Sequence, residues 1–180
     1  MFFLDLSNIK NKEEYFRNLN LSSLKNHDIK SFDSFGDTLL MHYMEYNQDN
    51  PNIEIINRLS GEIGFQNPID RTTALIKYLI FNKNSNLEII KLFSKEIGKS
   101  TLNGCTALMC YLRYNENPSI EVIRFLSNEI GMRNYYGWTA LMFYVAENKN
   151  RNIDIIESLY KEYYIQNNIG ETYEDYLIKK

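Results

Sequence analysis

Apolar residues along this chain fall in short blocks separated by polar stretches, and two kinds of block alternate. The first is Thr73-Ala74-Leu75-Ile76-Lys77-Tyr78, which returns as Thr106-Ala107-Leu108-Met109-Cys110-Tyr111 and as Thr139-Ala140-Leu141-Met142-Phe143-Tyr144, at steps of 33 residues. A looser copy, Thr38-Leu39-Leu40-Met41-His42-Tyr43, lies 35 residues before Thr73, and a degraded one, Gly170-Glu171-Thr172-Tyr173, lies 33 after Thr139 in register. The second kind is Ile53-Glu54-Ile55-Ile56, matched by Leu87-Glu88-Ile89-Ile90, Ile120-Glu121-Val122-Ile123 and Ile153-Asp154-Ile155-Ile156. Its apolar residues continue at helical spacing, Ile56 with Leu59, Ile90 with Phe93, Ile123 with Leu126 and Ile156 with Leu159. The pattern predicts two helices per unit, in a fixed order, over at least four units.

The polar residues between the blocks set the boundaries. Gly36, Gly104, Gly137 and Gly170 precede a threonine by two positions. A glycine there permits a turn with positive φ, and the threonine then caps the first helix. Arg71 stands at this glycine position in the second unit, so a left-handed backbone there is strained. Asn52, Asn86, Ser119 and Asn152 are N-cap residues for the second helix, and the acidic residue two places on suits the helix dipole. Gly64, Gly98 and Gly131 are expected to end these second helices in the left-handed cap position, and Tyr164 replaces them in the last full unit.

The opening Gly104-Cys105-Thr106-Ala107-Leu108-Met109-Cys110-Tyr111-Leu112 resembles the ankyrin repeat, whose period is 33 and whose unit is a β-turn plus two antiparallel helices. The resemblance covers roughly residues 30 to 180. It implies an all-α solenoid, a single domain over 1–180, with helix-turn-helix units joined by short β-turn or hairpin loops. Residues 1–30 form an N-terminal cap, with a helix around Glu13-Glu14-Tyr15-Phe16 and Leu19; units span about 31–67, 68–101, 102–134 and 135–167; residues 168–180 form a C-terminal half-repeat cap. The chain departs from the family where a small Ala pair becomes Tyr78-Leu79 or Tyr111-Leu112. The link between helices is also about three residues longer than usual and lacks the family's glycine. A longer first helix and an altered curvature are expected from that.

By the same resemblance, first helices and turn tips line a concave face that binds another protein. The positions carried over are His42, Lys77, Cys110 and Phe143 on the helices, then Tyr46, Phe81, Arg113, Tyr114 and Glu147 one turn on. Trp138 lies at a turn, and Tyr135 and Tyr136 at a tip together with Asn67 and Asn134. Tyr and Trp dominate interface hot spots, so the cluster Tyr135, Tyr136, Trp138 and Phe143 is the strongest candidate contact. On that reading Trp138→Ala weakens partner binding by about 2 kcal/mol with little change in melting temperature. The competing account has Tyr135 and Trp138 packing on neighbouring hairpins.

Composition narrows the alternatives. Hydrophobic residues are 44% of the chain, enough for a core, and 20 basic against 23 acidic residues argue against a nucleic-acid binder. Two cysteines, Cys105 and Cys110, are too few for a disulfide framework, and with no His or Cys at ligand spacing they make no zinc site. Cys110 reads as a free groove thiol or a buried, inert one. No signal-peptide core and no apolar run of about 20 residues is present, so a cytoplasmic or otherwise intracellular monomer is expected, with no membrane association.

Catalytic chemistry finds no home in the sequence. His27 and His42 are its only histidines, and His27 reads as a surface residue. Phosphate-binding glycine motifs are missing, so no cofactor is expected. Glu62, Glu96, Glu129 and Glu162 occupy one position of successive units, which makes them solvated helix ends or inter-unit bonds rather than catalytic carboxylates. The reading is a non-catalytic interaction module or adaptor. An inhibitor that occupies an enzyme's surface is one alternative; a small enzyme is another, and it would need a nucleophile and base that the sequence does not display.

Overall fold

The computed structural model describes residues 9–22, 24, 32–47 and 50–178. His27 lies outside them. The described chain is helical: α1 (Lys12–Arg17), α2 (Leu39–Tyr46), α3 (Ile53–Arg58), α4 (Ala74–Phe81), α5 (Leu87–Leu92), α6 (Ala107–Tyr114), α7 (Ile120–Phe125), α8 (Ala140–Glu147), α9 (Ile153–Ser158) and α10 (Tyr173–Ile178). Even-numbered helices from α2 to α8 are the first helices of four units, and α10 is the first helix of a fifth, partial one. Successive first helices stack against one another more closely than the second helices α5, α7 and α9 do. The array therefore curves, with the first helices on its inner side.

Each first helix starts where its threonine stops extended chain. Thr38, Thr73, Thr106 and Thr139 accept the N–H of the residue three on, at Met41, Ile76, Met109 and Met142. That satisfies one of the free N–H groups every helix start leaves open. Asn52, Asn86, Ser119 and Asn152 cap the second helices in the same way. The core is apolar and continuous from Phe16 to Tyr173, with Leu40, Leu75, Leu108 and Leu141 at 0% exposure.

The tyrosines that replace the family's small residue are fully buried. Their hydroxyls are not stranded. Tyr43, Tyr78 and Tyr111 accept the backbone N–H of Asn52, Asn86 and Ser119 at 2.8, 2.9 and 2.7 Å, and Tyr144 that of Asn152 at 2.7 Å. One side chain thus fills the space between the helices and fixes where the second begins.

The second helices end differently from expectation. They stop at Arg58, Leu92, Phe125 and Ser158, and a tight 3-10 turn follows, ending at Glu62, Glu96, Glu129 and Glu162. Gly64, Gly98 and Gly131 do have positive φ, but they follow that turn rather than the α-helix. The four glutamates are buried and are not solvated helix ends. Glu96 accepts Leu75 N–H in its own unit at 2.7 Å and Gly64 N–H in the preceding unit at 2.9 Å. Glu129 does so with Leu108 and Gly98, both at 2.6 Å, and Glu162 with Leu141 and Gly131 at 2.7 and 2.8 Å. Glu62 accepts Leu40 N–H at 2.8 Å. Burial raises the Glu96, Glu129 and Glu162 carboxyls, and the N–H and threonine bonds oppose it only in part. At the matching place in the last full unit, Tyr164 is 92% exposed and Tyr163 before it has a helical backbone.

Candidate functional site

Three of the tips that rim the concave face are each built by one side chain, whereas the second unit uses two, Asn67 for the Ile69 and Asp70 N–H groups and Asp70 for the Thr72 N–H. Asn134 Oδ1 accepts the N–H of Tyr136 and Trp138 at 3.0 and 2.9 Å, Asn167 does the same for Ile169 and Glu171, and Asp33 for Phe35 and Asp37. Asn67 and Asn134, expected among exposed tip residues, are buried for this reason. Neighbouring tips are laced by backbone bonds: Leu102 N–H to Asp70, Tyr135 N–H to Asn103, and Asn168 N–H to Tyr136. These loops form a continuous rim rather than independent hairpins.

Between each pair of units, the turn residue of one faces the mid-helix residue of the next, and the four pairings, Asp37 with Lys77, Thr72 with Cys110, Cys105 with Phe143 and Trp138 with Tyr176, are filled differently. At the N-terminal end Lys77 Nζ bonds Asp37 Oδ2 at 2.8 Å and Glu45 Oε2 at 3.0 Å. Burial works to lower the Lys77 pKa, but the two carboxylates outweigh it and hold it above its usual value. Asp37, His42 and Glu45 place ligand-type atoms within 4.8 Å of one another, and the Lys77 ammonium supplies the positive charge they call for. At the C-terminal end, three turn positions on in register, Trp138 packs on Phe143 and Tyr176 with ring centroids 4.9 and 4.6 Å apart.

The middle is open. Thr72 and Cys105 stand at the turn position and Cys110 at the helix position, all too small to fill it. A cavity of about 320 Å³ results, lined among others by Ile80, Leu102, Met109, Tyr114 and Phe143, with Arg113 and Asp70 supplying charge. The Arg113 guanidinium lies 5.1 Å from the Tyr114 ring centroid and 5.2 Å from that of Phe143. Its contact with Glu147 is 3.6 Å long and solvent-exposed, worth at most about 1 kcal/mol.

The structure sorts the positions read from sequence. Cys110, Arg113, Tyr114 and Phe143 come together around this cavity. Glu147 joins Arg113 at its edge, Phe81 is exposed, and Tyr135 and Tyr136 are exposed on the rim. The expectation that all four helix positions present themselves to solvent is corrected: His42, Cys110 and Phe143 are 4, 4 and 7% exposed. His42 is covered by the N-terminal helix, whose Phe16 ring stacks on it at 5.2 Å and on the half-buried Tyr46 at 5.6 Å. Its Nε2 lies 2.9 Å from Asp33. Burial works to raise that aspartate, but the bonds from His42 and from the N–H groups of Asp37 and Phe35 hold it below its usual value. The buried reading of Cys110 holds, and burial pushes its thiol far above the ordinary range. Trp138 packs on the helix side chains Phe143 of α8 and Tyr176 of α10 rather than on neighbouring hairpins as in the competing account, and Tyr135 stays exposed. Leu102 was missed by sequence reasoning, although it repeats the position of Ile69 one unit before and Tyr135 one unit after.

A curved stack of helix pairs, closed by repeated caps and laced along one rim, defines a helical repeat scaffold with a concave face. The chain belongs to the ankyrin repeat family: the family model for ankyrin repeats, three copies, matches residues 78–171, just over half of it. A chain in the structure of a predatory endopeptidase from Bdellovibrio bacteriovorus in complex with an immunity protein is similar over 93% of this chain and 90% of that one, with a TM-score of 0.62 and 18% identity. That likeness shows the fold. No curated protein matches the chain in sequence. Among the described residues no helix is long and apolar enough to cross a membrane.

Proposed function

We propose that this chain is a non-catalytic module that binds another protein on its concave face, over Phe81, Arg113, Tyr114, Phe143 and the rim tyrosines Tyr135 and Tyr136. Ankyrin repeats are protein-interaction modules. The observation that carries the reading for this chain is the open cavity between α4, α6 and α8, flanked by exposed aromatic and guanidinium groups. Apolar concavities with a few directed polar groups are where ligands settle, and Tyr and Arg are the residue types that anchor interfaces. The repeated glutamates hold backbone N–H groups, and the Cys110 thiol is buried.

A second reading, an inhibitor that occupies an enzyme's surface, draws support from the similar fold found in a complex of an endopeptidase with an immunity protein. It differs from the first only in what binding does to the partner. Affinity capture with the wild-type chain and with Arg113→Glu/Tyr114→Ala separates specific from adventitious partners. A partner retained by the wild type and by Arg124→Glu on the second-helix side, and lost by the double variant, supports the concave face. Equal retention by the double variant contradicts it. An enzymatic assay of that partner, with and without the chain, then decides between tethering and inhibition.

A further inference from the structure

The repeat carries its own picture of what belongs in the open cavity. Trp138 and Cys105 are the same position one unit apart, as are Phe143 and Cys110, and Tyr176 and Phe143. In the last interval an indole lies between two rings, on Phe143 and Tyr176. One interval earlier the corresponding second ring, Phe143, is in place and lines the cavity, but the residue that would lie against it is a cysteine. The interval at the other end is closed by the Lys77 bridge to Asp37 and Glu45. Among the described residues, only the two middle intervals, Thr72 with Cys110 and Cys105 with Phe143, set small residues beside a ring wall.

We infer that the cavity takes one aromatic side chain of a protein partner, seated against Phe143 as Trp138 is seated against Tyr176 one unit on. This rests on the concave-face reading and specifies the anchor that the face takes. Electrostatics favour a ring over an aliphatic chain. Arg113 already lies over two rings, Tyr114 and Phe143, and a cation is drawn to the face of a third. Ile80, Leu102 and Met109 give the cavity an apolar wall, and Asp70, Thr72, Thr101 and Asn103 line its polar side. A cavity of about 320 Å³ is of the size that small-molecule and side-chain anchors occupy.

The test uses the full chain as bait for a displayed library of random linear peptides, with Cys105→Trp and Tyr114→Ala as comparison baits. Cys105→Trp fills the cavity with the side chain the next unit uses, and Tyr114 is exposed enough for its removal to leave the core intact. The expected result is a set of peptides sharing one Trp, Tyr or Phe. Replacing that residue with Ala weakens binding roughly tenfold or more, and both Cys105→Trp and Tyr114→Ala weaken it to a similar extent. N-acetyl-tryptophanamide competes with these peptides. Peptides without a shared aromatic, or a library yielding none sensitive to Cys105→Trp and Tyr114→Ala, overturn the inference. If such peptides still lose affinity on Arg113→Glu, the aromatic anchor fails while the concave-face reading stands; indifference to Arg113→Glu removes both.

Discussion

The carboxylate of Glu129 accepts the Gly98 N–H at 2.6 Å, across the boundary between two units. Its second oxygen takes the Leu108 N–H at the start of its own first helix, also at 2.6 Å. One buried side chain therefore ties a loop, a helix start and a neighbouring unit together, and Glu96 and Glu162 repeat the arrangement. A solenoid holds together through contacts between neighbours, and here part of that contact is ionic and directional.

Glu129→Gln is expected to destabilise the chain by roughly 2–4 kcal/mol, because the amide keeps one acceptor and turns a donor toward the other N–H group. Glu129→Ala should cost at least as much, leaving both N–H groups unpaired. Urea denaturation followed by circular dichroism measures this. An unchanged midpoint in Glu129→Gln would show that the two bonds contribute nothing net.

Acid is expected to act unusually on this chain in the window just above the ordinary carboxylate range. Burial holds the Glu96, Glu129 and Glu162 carboxyls above their unfolded value. In that window the folded state binds more protons than the unfolded one, so stability rises as the pH falls through the folded pKa toward the unfolded one. The depressed Asp33 works the other way: its contribution is lost only as the pH drops below its unfolded value and through its folded pKa. Melting temperature should therefore hold or rise from pH 7.5 to 5, then fall under strong acid, and Glu129→Gln should flatten the rise. A steady decline from pH 7.5 downward contradicts the raised carboxyls of Glu96, Glu129 and Glu162.

Two glycines with nearly equal φ, Gly98 at +86° and Gly137 at +80°, should respond differently to alanine. Both substitutions pay the left-handed penalty of about 1–2 kcal/mol. At Gly98 a Cβ meets nothing within 4 Å, whereas at Gly137 it comes within 2.7 Å of the Asn168 backbone nitrogen. Gly137→Ala is expected to lower the melting temperature clearly more than Gly98→Ala. Arg71, already left-handed at φ 61°, offers the converse, with Arg71→Gly gaining up to about 1 kcal/mol. Thermal melts of the three variants check both.

Trp138→Ala should reduce stability by roughly 2 kcal/mol, since it removes two ring contacts at a half-buried site. This replaces the expectation of a stability-neutral change. Tyr136→Ala, on a residue 63% exposed, is the stability-neutral partner. Paired thermal melts that place Trp138→Ala level with Tyr136→Ala would return Trp138 to the list of free contacts.

What the sequence revealed follows from how local each feature is. The Thr caps and the Asn or Ser caps bond two or three residues ahead, so their spacing declares them, and the 33-residue period follows. The Glu129 bonds run 21 and 31 residues back, and sequence alone left solvent and inter-unit contact as equal alternatives. His42 sat in a legible groove register, yet Phe16 lies 26 residues away in a cap without the repeat pattern and removes it from solvent. The cavity was hidden because it is defined by what Thr72, Cys105 and Cys110 do not fill. In retrospect the signal was present: the turn position reads Asp37, Thr72, Cys105, Trp138, charged and bulky at the ends and small between.

The central claim is that the partner lies on the first-helix side of the array. A photo-reactive benzoylphenylalanine at position 114, on the concave face, and another at position 124, on an exposed second-helix site, test it side by side in the full chain with the captured partner. Crosslinking from 114 and not from 124 is the predicted result. A partner crosslinked from 124 and untouched from 114 would place the interface on the opposite side and contradict the account.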